Sequence, residues 1–258
     1  AEGPRRGAEG GKVNAMLERM LIASAAQMGI SLSDAQAEQF ARYHEMLTEA
    51  NARFNLTRVP DDLREAADRN YLDCMAPVAA GALEGVQTLI DVGTGAGFPG
   101  IPLSILMPGT HVVLLDALDK RVKFLQSVAD ALHLNAEAVH LRCEDAARSP
   151  ALRERFDCAV ARAVAPMNVL AEYLLPFVRV GGRMLALKGP SLEAEMAEAE
   201  YAISTLGGRA DGVIPVEIPG RDWRHSLAKV AKIAPTPGKY PRKAGTPEKK
   251  PLVVAKSC

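Results

Sequence analysis

A run of glycines between Asp91 and Gly100 is the first feature of this sequence with the makings of a ligand site. It reads Asp-Val-Gly-Thr-Gly-Ala-Gly-Phe-Pro-Gly and ends an apolar segment. Glycines at such a place let the backbone pass close to a ligand. A second apolar segment ends in Asp116, at the spacing of a βαβ nucleotide unit, where a carboxylate accepts both ribose hydroxyls of an adenosine. We therefore expect an adenosine-containing cofactor, bound by Asp116 and by the loop glycines Gly93, Gly95 and Gly97.

The detail of the glycine loop separates the adenosine cofactors from one another. A dinucleotide fingerprint needs G-x-G-x-x-G, but this loop is G-x-G-x-G and Phe98 occupies the place of the third glycine. Asp91 at the strand end would repel a pyrophosphate and attract a cationic or amino-bearing group. The pattern favours S-adenosylmethionine and disfavours an NAD-dependent oxidoreductase. A tight turn without a ligand has similar glycines, so the prediction depends on Asp116 as well.

Polar residues follow the third and fourth predicted strands. Glu144, with Asp145 beside it, is placed to accept a hydrogen bond from the adenine amino group, next to the backbone of Cys143. Arg162 follows the fourth strand and would lie over the cofactor or over the target base, because loops at this edge of a parallel sheet converge on the ligand. A surface salt bridge is the alternative for Arg162.

Short apolar segments that alternate with helical segments must position these residues. This alternation is typical of a mostly parallel sheet covered on both faces, and two late strands around a hairpin bring the expected total to seven. The predicted strands are Thr88–Val92, 111–115, 138–141, 156–160, 183–187, 212–218 and 226–233. Before them, residues 13–51 have the three-to-four spacing of two amphipathic helices, with Ser31 or Ser33 as N-cap of the second.

Composition restricts the class of protein. The chain has 258 residues, with 31 basic and 31 acidic side chains, which suits a water-soluble globular protein. It contains no apolar run long enough to span a membrane, so we expect a cytoplasmic protein. The cysteines and histidines show no metal-ligand spacing, and we expect no metal. We also expect a monomer.

Charge is distributed unevenly along the chain. Residues 221–258 contain ten basic and two acidic residues, a net charge of +8, so the preceding residues carry −8. Five prolines in this tail predict an extended, solvated arm, a kind of segment that commonly contacts phosphates. A purely solubilising tail has the same composition. Three further cations on the helix after Asp116, Lys120, Arg121 and Lys123, either face a ligand or form an ordinary solvated helix face.

Several segments together resemble the RsmG, or glucose-inhibited division protein B, family of bacterial 16S ribosomal RNA guanine-N7 methyltransferases. The resemblance covers most of the chain. It includes Asn55-Leu-Thr57, Asp91 to Leu103, Leu114 to Leu125, Ala161-Arg-Ala163, Gly181 to Gly189 and the tail Lys239-Tyr-Pro-Arg-Lys-Ala-Gly245. One departure is Arg69-Asn-Tyr-Leu-Asp-Cys74, where the family often has Arg-His-x-x-Asp-Ser.

The resemblance implies a Rossmann-like class I methyltransferase with an N-terminal helical cap. It implies S-adenosylmethionine contacts at Gly93, Phe98, Cys143, Glu144 and Arg162. The expected divisions of the chain are a disordered stretch at 1–12, the helical cap at 13–66, the methyltransferase domain at 67–234 and the basic tail at 235–258.

The partner implied is 16S ribosomal RNA or the small ribosomal subunit. The residues expected to contact it are Lys120, Arg121, Lys123, Arg224, His225, Lys239, Tyr240, Arg242 and Lys243. Guanine N7 has a free lone pair and no proton, so we expect no catalytic acid or base, and Arg162 is the one candidate for a direct role. Removal of the residues after Ala234 is expected to weaken RNA binding and to leave cofactor affinity intact.

Other functions remain open from the sequence alone. The first alternative is an S-adenosylmethionine-dependent methyltransferase of a small molecule or protein, for which the basic tail is incidental. The second is an RNA-binding module without enzymatic activity. Cofactor binding without transfer to RNA would favour the first, and RNA binding without cofactor binding would favour the second.

Overall fold

A computed structural model describes residues 4–54, 56–162 and 165–254, without the side chains of residues 4–10 and Phe54. Two residues named in the sequence, Asn55 and Ala163, lie outside this part of the chain, as does one of the four cysteines, Cys258. No helix in the described ranges has both the length and the apolar character needed to cross a bilayer.

The seven strands form one sheet in the order β3-β2-β1-β4-β5-β7-β6. Strands β1 to β5 are parallel, and β7 runs antiparallel between β5 and β6. The predicted seven-stranded, mostly parallel sheet with a late hairpin is therefore confirmed. The bounds are β1 Thr88–Val92, β2 His111–Asp116, β3 Ala136–His140, β4 Phe156–Arg162, β5 Val178–Lys188, β6 Gly208–Val216 and β7 His225–Lys232.

Helices cover both faces of this sheet. In chain order they are α1 Pro4–Gln27, α2 Asp34–Phe54, α3 Leu63–Ala66, α4 Asp73–Ala79, α5 Gly100–Leu106, α6 Asp119–Ala131, α7 Cys143–Ala146, α8 Met167–Leu174, α9 Leu192–Thr205 and α10 Thr246–Lys249. A π-helical segment, Ala67–Leu72, joins α3 to α4, and a 3-10 turn, Leu175–Phe177, follows α8.

Alternation of side chains along the strands divides the core into two halves. Leu89 of β1 and Val160 of β4 point to the half that packs on the N-terminal helices. Ile90 and Ala161, their neighbours in sequence, point to the half that packs on α8 and α9. Because both faces are buried, the central strands are mostly apolar, and their polar residues lie mainly at the strand ends.

The N-terminal helices are part of the first half of the core rather than a separate unit. Leu17, Leu21, Phe40 and Leu47 are fully buried in one cluster with strand residues such as Leu89. The predicted N-cap at Ser33 is confirmed, since Ser33 and Gln36 exchange backbone and side-chain hydrogen bonds at the start of α2. The helices α1 and α2 therefore form a cap that shares its core with the strands.

One expectation about the N-terminus is wrong. Residues 4–12 continue α1 instead of forming part of a disordered stretch, and residues 1–3 lie outside the described part. Pro4 is tolerated in the first helical turn, and the arginines, alanines and glutamates around it are good helix formers. The glycines of this segment weaken a helix but do not forbid one.

Candidate functional site

Two cavities open at the carboxyl end of the parallel strands, where ligands of such sheets bind. The first has a volume of about 180 Å³ and lies beyond β1, β2 and β3; we call it the Asp116 cavity. The second has a volume of about 210 Å³ and lies beyond β4 and β5; we call it the Arg162 cavity. The cofactor residues predicted from the sequence are distributed between these two cavities and the loop beneath them.

Asp91 fixes the shape of the glycine loop. Its Oδ2 atom accepts hydrogen bonds from the Thr94 hydroxyl at 2.6 Å and from the Gly100 amide at 2.7 Å. The side chain is completely buried, and burial raises the pKa of Asp91 to about 7. The structure therefore places Asp91 under the loop, where it organises the backbone, and not among the residues that line either cavity.

The third loop glycine is needed for packing rather than for ligand contact. A side chain at Gly97 would place Cβ 2.6 Å from Ile101 and 2.7 Å from the hydroxyl of Tyr43. Gly97 also has a positive φ of 113°. Tyr43 reaches this loop from α2 and donates a hydrogen bond to the Ala96 carbonyl at 2.7 Å. The helical cap thus contacts the loop directly, and Gly97 leaves the space for it.

Asp116 connects the loop to the cavity named after it. One carboxylate oxygen accepts from the Gly95 amide and the other from the Leu118 amide, both at 2.9 Å. Arg121 lies 3.5 Å from the same carboxylate. Two carboxylate oxygens have about four acceptor positions, so capacity for a hydroxyl donor remains. Gly93 lines the wall beside it without a side chain.

Cys143 and Glu144 form the opposite wall of the Asp116 cavity. Glu144 is buried, accepting from the Cys143 thiol at 3.2 Å and from the Gly245 amide at 2.9 Å. Burial and the neighbouring Glu144 carboxylate raise the pKa of the Cys143 thiol. The raised pKa disfavours the thiolate, which is the nucleophilic form, and Cys143 forms part of the cavity wall.

Arg162 is held in place by neighbours from four directions. Its Nη1 atom donates to the Arg69 carbonyl at 2.7 Å and to the Cys74 sulfur at 3.3 Å, and it lies 3.5 Å from the Asp73 carboxylate. The guanidinium also stacks over the Phe98 ring at 4.8 Å. Arg162 lines its own cavity, whereas Phe98 supports it from below and lines neither cavity.

His225 completes the Arg162 cavity. Its Nδ1 atom lies 2.9 Å from Asp73, and this hydrogen bond raises the pKa of the imidazole. Trp223 lies next to His225, with the guanidinium of Arg69 at 4.6 Å from its ring and that of Arg221 at 5.1 Å on the same indole. The cavity is thus lined mainly by donors, with Asp73 as the carboxylate that orients them.

Nine cofactor residues were predicted from the sequence, and four of them lie together in the structure. Gly93, Asp116, Cys143 and Glu144 line the Asp116 cavity, and Gly95 is bonded to Asp116. The other four residues do not line this cavity: Asp91, Gly97, Phe98 and Arg162.

The cations predicted to contact RNA fall into three groups. Lys120 and Lys123 line an exposed groove between α2 and α6, and Arg121 turns toward Asp116. Arg224 is exposed beside His225. Lys239 and Lys243 are exposed on the tail.

Two tail residues that were predicted to contact RNA pack against the rest of the protein. Tyr240 is only 7% exposed, and Arg242 forms an ion pair of 2.6 Å with Glu172, which is completely buried. The expectation of an extended, solvated arm is therefore wrong for this part of the tail. The tail packs back on α8 because Glu172 is a buried charge that needs a cation.

Several residues of the site were missed by the sequence analysis. Tyr173, Gly245 and Glu248 line the Asp116 cavity, and Asp73 and Lys188 line the Arg162 cavity. Glu144 and Gly245 are 101 positions apart. No local pattern in the sequence reports such a contact, since the tail reaches the cavity through tertiary packing alone.

Comparison with known families decides what kind of protein this is. The family model described as "GidB: rRNA small subunit methyltransferase G" matches residues 36–220. The chain belongs to this family. Family membership confirms the resemblance seen in the sequence, and residues 36–220 include all but the first two residues of α2, every strand up to β6 and the glycine loop.

Proteins called "Ribosomal RNA small subunit methyltransferase G" are similar to the chain over most of its length. The one from Leuconostoc citreum is 46% identical, covering 92% of this chain and 100% of its own. The one from Clostridium perfringens (strain SM101) is 44% identical, covering 87% of this chain and 94% of its own.

Solved structures share the fold at low sequence identity. The O-methyltransferase from Bacillus cereus, in complex with SAH, has a TM-score of 0.53 at 17% identity, covering 74% of this chain and 91% of its own. The cofactor-bound protein Rv0187 from MTB has a TM-score of 0.52 at 17% identity, with coverage of 75% and 89%. The predicted Rossmann-like methyltransferase fold is confirmed.

Within the GidB family pattern, Asn70 and Cys74 are the departures noted in the sequence. Both are buried, and the Cys74 thiol donates to the Asn70 carbonyl at 3.2 Å. The Cys74 sulfur also accepts from Arg162. The cysteine therefore takes part in orienting the arginine.

Proposed function

We propose that this chain transfers the methyl group of S-adenosylmethionine to N7 of a guanine in 16S ribosomal RNA. The observation that carries the proposal is membership in the family described as rRNA small subunit methyltransferase G, together with two adjacent cavities at the carboxyl edge of the sheet. The substrate is 16S RNA, either naked or within the small ribosomal subunit.

The Asp116 cavity fits the adenosine part of this cofactor. Its walls are apolar where a flat base would lie, with Leu141, Leu170 and Leu174. Asp116 has acceptor capacity left for ribose hydroxyls, and Glu144 has the same for an amino group. When bound, S-adenosylmethionine supplies a methyl group on a positively charged sulfur, activated for displacement by a lone pair.

The Arg162 cavity fits the Hoogsteen edge of guanine. That edge presents two acceptors, N7 and O6. Arg162, Lys188 and His225 line the cavity with hydrogen-bond donors, which suit O6 and leave the N7 lone pair available. The pairing with Asp73 fixes Arg162 and His225 before the base arrives.

No residue needs to remove a proton in this reaction. N7 is unprotonated, so transfer to it requires alignment and not a general base. Orientation alone is worth up to about 7 to 11 kcal/mol of a reaction barrier. The work of this chain's residues is then to hold the base, to exclude water and to stabilise the positive charge that appears on the ring, for which Asp73 is suitably placed.

Guanine N7 is hidden in the deep, narrow major groove of A-form RNA. The target therefore lies in a loop or bulge. Exposed cations beside the Arg162 cavity, such as Arg224, would bind the flanking phosphates.

The experiment is methyl transfer from labelled S-adenosylmethionine to unmethylated small-subunit RNA and to small subunits, followed by chemical cleavage at N7-methylguanosine. We expect one labelled guanine, located in a loop. No label in any ribosomal RNA, with cofactor binding retained, would favour methylation of a small molecule or protein instead.

A variant of Arg162 links the activity to the site. Arg162→Lys keeps the charge but loses the planar donor fork, so we expect a large fall in kcat with little change in affinity for S-adenosylhomocysteine. Arg183→Lys is the matched control, because Arg183 donates to the Ala82 carbonyl and lines neither cavity. Equal activity of the two variants would remove Arg162 from the mechanism.

A further inference from the structure

The C-terminal residues 236–250, which we call the strap, cross α8 and end beside the Asp116 cavity. They lie beyond residue 220, where the match to the family model ends. The strap contains α10, and two of its residues, Gly245 and Glu248, line the cavity. A segment beyond the family-model match, which includes the 239–245 stretch that resembles the family in sequence, therefore contributes to the wall of the main cavity.

The first end of the strap is fixed by buried polar contacts. Arg153 donates to the carbonyls of Thr236 and Tyr240, both at 2.8 Å. The Thr236 amide donates to Glu154 at 2.7 Å, and its hydroxyl accepts from the fully buried Lys232. These contacts hold the backbone before it turns toward the cavity.

The middle of the strap is fixed by an ion pair inside the protein. Arg242 donates to both carboxylate oxygens of Glu172, at 2.9 Å and 2.6 Å, and its own amide donates to the same side chain. Glu172 is completely buried on α8. Arg242 also donates to the Lys250 carbonyl at 2.7 Å, so this one side chain connects the C-terminal end of α10 to α8.

The far end of the strap meets residues of the cavity itself. The Gly245 amide donates to Glu144, and Glu144 is one of the predicted cofactor residues. Glu248 lies beside Tyr173, whose pKa is raised by burial and by the carboxylates of Glu144 and Glu248. The strap, Glu144 and Tyr173 thus form one connected wall.

We propose that the strap is part of the cofactor site and closes the adenosine end of the Asp116 cavity. Glu248 is its polar group toward the ligand, and the Arg242–Glu172 pair positions it. This inference rests on the proposed function, in which the Asp116 cavity holds S-adenosylmethionine. Its consequence is that cofactor affinity depends on residues beyond position 220, where the family-model match ends.

The direct test is calorimetric titration of the full-length protein with S-adenosylhomocysteine. Glu248→Ala removes the cavity-facing group of an exposed residue, and we expect about a tenfold rise in Kd. Lys249→Ala is the matched control on the same helix, since Lys249 does not line the cavity. We expect its Kd to equal that of the wild type.

The positioning pair is tested by Arg242→Met, with Lys243→Met as control. Loss of Arg242 frees the strap, so we expect weaker S-adenosylhomocysteine binding and faster proteolysis within 236–250, while Lys243→Met leaves both unchanged. In the wild type, S-adenosylhomocysteine should protect this segment from proteolysis. A strap with only a structural role would be cleaved at the same rate with and without ligand.

The outcomes separate the two proposals. A wild-type protein that does not bind S-adenosylhomocysteine overturns the proposed function and the role of the strap together. A wild type that binds, with Glu248→Ala and Arg242→Met binding equally well and no protection of the strap, overturns the strap alone.

Discussion

At the scale of single residues, the buried carboxylate of Asp91 is the centre of the glycine loop. Its two hydrogen bonds connect the end of β1 to Thr94 and to the first turn of α5. The other oxygen, Oδ1, has no hydrogen-bond partner among the described residues. The cost of burying this charge explains why the pKa of Asp91 rises to about 7.

Asp91→Asn should change how stability depends on pH. A carboxyl group with a folded pKa near 7 and an unfolded pKa of 3.8 makes the folded state lose stability as pH rises between these values. At about 1.4 kcal/mol for each pKa unit, the loss is roughly 4 kcal/mol. We expect urea unfolding at pH 4.5 to 7 to show a weaker decline for Asp91→Asn than for the wild type.

The control for this experiment is Asp61→Asn, which changes an exposed carboxylate. Its pH dependence should follow the wild type. Parallel curves for all three proteins would contradict a raised pKa at Asp91.

The cysteines should differ in reactivity according to burial. Burial raises the pKa of Cys74 and of Cys158 to about 12, so neither should react with iodoacetamide in the folded protein. Cys143 lines the Asp116 cavity and is partly exposed, so it should react slowly. Peptide mapping by mass spectrometry should show that S-adenosylhomocysteine slows labelling of Cys143 further. If S-adenosylhomocysteine does not change the labelling rate of Cys143, the ligand binds outside the Asp116 cavity.

Single residues also mark the limit of the sequence analysis at the site. The loop was located correctly, because glycines and acidic residues at strand ends are local signals. The roles of the individual loop residues were not predicted correctly. Gly97 leaves space for Tyr43, and Asp91 accepts a hydrogen bond from the Gly100 amide, and such contacts have no signature in the sequence.

At the scale of secondary-structure elements, α2 is the support of the glycine loop. The Tyr43 hydroxyl is buried and donates to the Ala96 carbonyl, and the ring packs on Phe98, which in turn carries Arg162. The helical cap therefore contacts the loop between β1 and α5. Through Phe98 it also supports Arg162, which lines the Arg162 cavity.

Tyr43→Phe should loosen this connection without removing the ring. It leaves the buried Ala96 carbonyl without its partner, which costs about 1 to 3 kcal/mol. We expect that loss in the free energy of unfolding, together with weaker binding of S-adenosylhomocysteine. Tyr201→Phe is the control, because Tyr201 is 43% exposed on α9. If the two variants are equally stable, the hydrogen bond contributes nothing.

Strands were easier to predict than their ends. The apolar run of β1 was placed correctly at Thr88–Val92, since its flanks are polar. Strand β5 begins at Val178, five residues before the predicted start, because Gly181 and Gly182 interrupt the apolar pattern. A side chain at Gly182 would place Cβ 2.6 Å from the Asp157 carbonyl of β4, so the glycine belongs to the sheet.

At the scale of the whole molecule, the folded structure redistributes the charge of the basic tail. Arg221, Lys229, Lys232 and Arg242 form ion pairs with acidic residues from earlier in the chain. The composition predicted a basic arm, but in the folded protein these ion pairs neutralise part of its positive charge. Removal of the residues after Ala234 would also remove Gly245 and Glu248 from the Asp116 cavity, so cofactor affinity is now expected to fall.

Point substitutions are therefore the way to test RNA binding by the tail. Lys239 and Lys243 are exposed, and neither lines the Asp116 cavity. Each phosphate contact that is lost lowers the slope of log K against log salt by about 0.7 for single-stranded RNA. Lys239→Ala/Lys243→Ala should therefore reduce this slope by about 0.7 to 1.4 in filter binding to small-subunit RNA, and leave binding of S-adenosylhomocysteine unchanged.

The control must remove the same net charge from another part of the surface. Lys12→Ala/Arg19→Ala does so on the exposed side of α1. If RNA binding depends only on the net charge of the protein, both double variants should weaken it equally, because each removes two positive charges. Contact of the tail with phosphates predicts a shallower slope only for the tail variant. Identical slopes for the two variants would show that the exposed lysines of the tail do not contact phosphates and only make the protein more soluble.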